Sequence, residues 1–196
     1  MRWIVLSIVV VVIPYTWFNL HYRKPGRAFE PYRDLKRQAN VQSLLSAGFR
    51  RTTLIAEQPA DSLETGRWGE TPATVVAVPG GIPPQLKESL IEVPTLPLSI
   101  DSVRAAATAS TLLPYTIELT CTFPNQRQSL GRAYLYWKES ELILIVHCEE
   151  LQGELTARSA GATLRLTAPG GSIQPGSYTV SAVGVTTTQQ WTVTVK

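Results

Sequence analysis

Tyr115-Thr-Ile-Glu-Leu-Thr-Cys-Thr-Phe123 carries the plainest structural pattern in the chain. Ile117, Leu119, Cys121 and Phe123 alternate with Thr116, Glu118, Thr120 and Thr122. A period of two places the two sets on opposite faces of an extended strand. One face is then buried and the other meets water, as in antiparallel sheets.

Working outward, further short β segments separated by turn residues fall at 98–104, 132–138, 141–148, 154–158, 163–168, 177–183 and 190–195. Leu164 and Leu166, then Tyr178, Val180 and Ala182, then Trp191, Val193 and Val195 repeat the alternation. So many short strands in one stretch predict a sandwich or a barrel. The final part, Gln174-Pro-Gly-Ser-Tyr-Thr-Val-Ser-Ala-Val-Gly184 followed by Trp191-Thr-Val-Thr-Val195, resembles the last two strands of bacterial immunoglobulin-like and fibronectin-like domains. In those domains a Pro-Gly-x-Tyr lead-in precedes a strand that pairs with a terminal x-Val-x-Val strand. The resemblance implies an antiparallel immunoglobulin-like β-sandwich over 98–196, and it implies no activity. Cys121 and Cys148 depart from it, because the inter-sheet cysteine pair of that family lies farther apart in sequence.

At the other end, Trp3 to Leu20 is uncharged and rich in Val and Ile. As a helix it would be roughly 27 Å long, close to the roughly 30 Å of a hydrocarbon core. Trp3, Tyr15, Trp17 and Tyr22 match the aromatic belts of membrane interfaces, and Pro14 predicts a kink. The reading is a single transmembrane helix over 1–22. A cleaved signal peptide is the competing one, but no small-x-small site follows the apolar core; a buried soluble helix is the third.

The net charge of +3 conceals a step: residues 21–51 hold eight Lys/Arg and two acids, whereas 52–196 hold nine and thirteen. Arg23, Lys24, Arg27, Arg33, Lys36 and Arg37 form a basic collar beside the apolar helix, suited to anionic headgroups. The expected location is the inner (cytoplasmic) membrane. The positive-inside rule alone faces the body toward the cytoplasm, while a signal-like core and a two-cysteine β body favour an extracytoplasmic one, the orientation adopted here. The mildly acidic body lacks the basic face that nucleic-acid binding requires.

Pro31 to Ala47 has helical spacing, with Gly48 placed to follow its end, and predicts a short amphipathic helix. Phe49 to Glu57 reads as a strand. Residues 58–97, interrupted by Pro79-Gly80-Gly81, Pro83-Pro84, Pro94 and Pro97, read as a linker or irregular cap. The division is thus 1–22 anchor, 23–57 basic juxtamembrane helix and strand, 58–97 linker or cap, and 98–196 sandwich.

Few residues offer chemistry. Cys121 and Cys148 are the only cysteines; in an exported domain they would form a disulfide, worth about 3–4 kcal/mol on chain entropy, and in the cytoplasm they would be two buried thiols. His147 precedes Cys148, but neighbours on a strand point to opposite faces, so the pair does not share one ion. With His21 as the only other histidine and Met1 as the only methionine, no metal site is expected. No Gly-x-Ser-x-Gly turn surrounds a serine. Glu139, Glu141, Glu149, Glu150 and Glu154 cluster near one hairpin and read either as paired carboxylates or as a solvated edge. The Gly-Gly pairs at 80–81 and 170–171 lack a phosphate-loop setting. Trp68, on a turn-rich stretch, is a candidate contact residue. The functional expectation is a non-catalytic interaction module, an accessory or assembly component of a membrane complex, with no cofactor, and with the membrane and another membrane or envelope protein as partners. The alternatives are a carbohydrate- or envelope-binding module and a thiol redox factor or enzyme.

Overall fold

A computed structural model describes residues 2–22, 31–57, 71–151, 156–157 and 159–196. They form helices α1 (Arg2–Tyr22), α2 (Pro31–Ser46) and α3 (Pro84–Ser89). The strands are β1 (Arg50–Glu57), β2 (Val76–Pro79), β3 (Ser99–Ala105), β4 (Thr108–Ala109), β5 (Tyr115–Thr122), β6 (Gln128–Lys138), β7 (Glu141–Glu150), β8 (Gly161–Ala168), β9 (Gly176–Val183) and β10 (Thr187–Val195). Two compact units result, Met1–Arg37 and Gln38–Lys196.

The second unit is a closed barrel. Eight strands follow one another in the order β10, β3, β5, β8, β1, β6, β7, β9, and β9 pairs back onto β10. Neighbours are antiparallel except β7 with β9 and β10 with β3, which makes the barrel mixed. Strands β2 and β4 lie outside this ring, each paired to β10.

The immunoglobulin-like sandwich expected over 98–196 is therefore corrected to a barrel. The reason lies in the edges. β9 and β10 do form a hairpin, but the free side of β9 takes β7 in parallel, and β10 meets β3. β1, far upstream, enters between β6 and β8. No edge of the ring is left to divide it into two sheets, and alternating strands serve either architecture equally. The strand expected at 154–158 falls largely outside the described residues.

The transmembrane assignment is corrected as well. Among the described residues no helix is long and apolar enough to cross a membrane. The aliphatic part of α1, Ile4 to Ile13, extends only about 15 Å, half of a hydrocarbon core. Its second half carries Pro14, Thr16, Asn19 and His21. A single-pass inner-membrane location, in either orientation, is thus unsupported.

The barrel interior is filled by apolar side chains. Inward residues of β5 (Ile117, Leu119, Cys121), β7 (Leu142, Leu144, Val146), β8 (Leu164, Leu166) and β10 (Trp191, Val193) are all at most 2% exposed and form one cluster. A second cluster lies on the outside, where Tyr136, Ile143, Ile145 and Val183 of β6, β7 and β9 meet Leu44 of α2 and Leu86 and Leu90 at α3. One flank of the barrel is consequently roofed by helices. Across β3, β5, β8 and β1 the outer face instead carries the register Arg104, Glu118, Arg165, Glu57, with Arg165 Nη2 donating to Glu118 Oε1 at 2.9 Å. That row alternates in sign, and its central pair, Arg165 with Glu118, is part-buried.

The seam between β10 and β3 is narrow. Only Thr187 and Ser99 stand in register, supported by the Val185 and Thr186 amides donating to the Pro97 and Leu98 carbonyls. Buried Gln189 extends it, its side-chain amide donating to the Ile100 carbonyl at 3.0 Å. Gly184 is required here, because a Cβ would lie 2.5 Å from the Thr187 oxygen and 3.1 Å from the Ile100 nitrogen.

Helix α2 ends in a Schellman turn. The Phe49 amide donates to the Leu44 carbonyl and the Gly48 amide to that of Leu45, with Gly48 at φ 82°. Leu44 and Phe49 then pack together in the outer cluster. Gly48→Ala is expected to destabilise the protein by about 1 kcal/mol, read as a lower denaturation midpoint with an unchanged slope.

Candidate functional site

The closed wall leaves little room for a ligand inside. A cavity at one barrel end, lined by Ser110, Thr111, Leu113, Tyr115, Pro169 and Ile173, measures about 10 Å³. That is about the space of one water. Beneath it Trp191 Nε1 donates to the Tyr115 hydroxyl at 3.2 Å, and that hydroxyl donates to the Ala106 carbonyl at 2.9 Å. Burial pushes the Tyr115 pKa up from 10.0 to about 12, against the smaller opposing effect of the Trp191 hydrogen bond.

Cys121 and Cys148, considered above as a disulfide, are both buried free thiols in the barrel core. Burial raises Cys121 from 9.0 to about 12, with lesser contributions from Cys148 and Asp101, and raises Cys148 to about 11. Cys121 Sγ points to the Ala162 carbonyl at 3.7 Å. Thiols so desolvated are poor nucleophiles and metal ligands.

His147 is half-buried on the outward face of β7, opposite in phase to Cys148, and its Nδ1 is buried without a hydrogen-bond partner. Among the described residues no group of three or more His, Cys, Asp or Glu is placed to hold a metal ion. Glu139, Glu141, Glu149 and Glu150 are exposed around the β6–β7 hairpin. Glu149 lies against Gly131, where an added Cβ would meet its side chain at 2.5 Å.

Of the basic collar, Arg23, Lys24 and Arg27 lie outside the described residues, as does Trp68 and, in the glutamate cluster, Glu154. Arg33 belongs to α2, and its side chain is likewise not described. Lys36 and Arg37 lie on α2, half-buried and exposed respectively.

The structure brings together a set of residues that sequence reading did not connect. Arg51 Cζ lies 4.7 Å from the Tyr134 ring centre, Arg50 Cζ 5.0 Å from that of Trp137, and Lys138 Nζ 5.2 Å from that of Phe49. Arg132 hydrogen-bonds Tyr134, which raises the guanidinium pKa, with Glu149 adding a smaller contribution. Burial raises the Tyr136 pKa, opposed by the charge of Arg51 and its hydrogen bond. β1 and β6 align these groups by the register Arg50 to Trp137, Arg51 to Tyr136 and Thr53 to Tyr134. Aromatic residues on 132–138 and arginines at 50–51 were visible, but the register that joins them was not.

The class defined by this geometry is a small, closed mixed β-barrel whose interior is filled by side chains. No protein-family model matches the chain, and no curated protein and no solved structure matches it.

Proposed function

We propose that this chain is a non-catalytic interaction module, an accessory or assembly component of a larger protein complex. One observation carries the reading: α1 exposes Trp3, Val10, Val11, Val12, Ile13, Tyr15, Trp17 and Phe18, each at least 51%. A helix apolar on all sides is normally covered, since every square ångström of exposed apolar surface costs about 25 cal/mol. A partner protein supplying an apolar surface would cover it. The filled barrel supports the same reading, because it offers a rigid body with outward-facing groups. In the full chain, a photo-cross-linker at Val11 is expected to yield one adduct of defined mass in cells. Adding Ile13→Asp should lower its yield about tenfold or more, as expected for loss of an interface anchor. Recovery of the free monomer alone, under conditions where the barrel is folded, would overturn the proposal.

A further inference from the structure

We propose that β2 is a docking edge for a second copy of this chain, the two β2 strands pairing antiparallel across a two-fold axis at Ala77. β2 lies outside the ring and, among the described residues, pairs with β10 alone. Val76 and Ala77, whose side chains leave opposite faces of the strand, are both exposed, Val76 at 56%. Neither face is covered at that point, and one edge is open.

Strand phase fixes which backbone groups stand on the open edge. The Gly80 amide donates to the Thr186 carbonyl, on the β10 side. Amides alternate in direction along a strand, so those of Val78 and Val76 also face β10, opposite Thr188 and Gln190. The N–H and C=O of Ala77 and the C=O of Pro79 therefore point away from it, as do both groups of Val75 immediately before the strand. Open edges are commonly guarded by charged side chains, proline or a bulge. No charged residue occurs from 71 to 86, and Pro79 guards only the end of the edge.

Sequence selects the occupant. Val75-Val76-Ala77-Val78-Pro79 reads nearly the same in both directions about Ala77, the symmetry that antiparallel pairing with a copy requires. Ala77 and the partner's Ala77 then exchange both hydrogen bonds of a directly opposed pair. Each Val75 amide donates to the partner's Pro79 carbonyl, and Pro79 has no N–H to return, so the ladder stops there. On one face Val76 meets the partner's Val78, and the alanines at the axis add no bulk. Every cross-strand pair is apolar, so no charge is desolvated. So short a strip buries well under the ~1,200 Å² of a standard interface, and the dimer is expected to exchange with monomer at roughly micromolar concentration.

The test uses the full chain carrying Ile13→Asp, which removes association through α1. Sedimentation velocity from about 5 to 500 μM is expected to show a monomer–dimer equilibrium. Val76→Lys should weaken it about tenfold or more. Ile55→Lys, on β1 at the same 56% exposure, should leave it within about twofold. Ala77→Cys should give a disulfide-linked dimer on oxidation with diamide, because opposed Cα atoms would stand about 5.5 Å apart, and Ile55→Cys should not. That cross-link decides the matter even if Val76→Lys fails to fold. A monomer throughout the range, a dimer unaffected by Val76→Lys or weakened equally by Ile55→Lys, or a covalent dimer forming as readily through position 55 as through 77 would overturn the proposal. The inference is independent of what covers α1, so loss of the Val11 cross-link leaves it standing.

Discussion

Raising the pH from 9 to 12 in the presence of a reductant is expected to remove on the order of 10 kcal/mol of stability, as much as a typical domain possesses. Three groups drive it. Cys121 and Cys148 keep their protons until about pH 12 and 11 when folded, and Tyr115 until about 12. The unfolded chain releases them near 9.0 and 10.0. Because the folded pKa values are raised, the associated stability is complete below the unfolded values and is lost as pH rises toward the folded ones. Each group still protonated only in the folded state costs about 1.4 kcal/mol per pH unit. The physical cause is burial in the apolar barrel core, where a thiolate or phenolate loses its hydration. Guanidinium midpoints followed by tryptophan fluorescence should fall steeply between pH 9 and 11. Cys121→Ala with Cys148→Ala should start lower, from the lost side-chain volume, and fall more gently. Midpoints that stayed level over that range would show that the thiols are not enclosed as described.

Trp191→Ala should destabilise the barrel by about 3–5 kcal/mol, lowering the melting temperature by roughly 10–15 °C. The side chain is 2% exposed and sits in the main core cluster. Its removal leaves a void that surrounding strands, pinned by pairing on both sides, cannot collapse to fill. It also removes the indole donor to Tyr115, although that hydroxyl keeps the Ala106 carbonyl as acceptor. Trp191→Phe separates the two effects: it retains most of the volume and loses the N–H, so about 1–2 kcal/mol is expected from the bond and the smaller ring. If the alanine variant melted within about 2 °C of the wild type, Trp191 could not be a central core residue.

How much of this was legible follows from the range of the information. Strand β5 was readable from Tyr115 to Thr122 because alternation is local, and the end of α2 was readable from Gly48. Barrel closure was not, since it depends on β1 reaching strands about eighty residues onward. Ile117, Leu119 and Cys121 alternate identically whether the opposing wall is a second sheet or the far side of a ring. The length of Trp3 to Leu20 suggested a membrane span, but length averaged over its polar second half concealed the short aliphatic core. The cation–ring strip was hidden for the same reason as the closure: Arg51 and Tyr134 meet only through pairing. His147 and Cys148 were placed on opposite faces correctly, because strand geometry alone fixes that relation.

The narrow seam held by Thr187, Gln189 and Gly184 also sets a timetable. Its closing strand is the final one of the barrel in chain order, so a ribosome making about 5–20 residues per second must finish residue 195 before the ring can shut. Until then β3 and β9 present unpaired amides and carbonyls to the crowded cell. Nascent chains stalled before Thr187 should therefore recruit chaperones, and those released past Val195 should not.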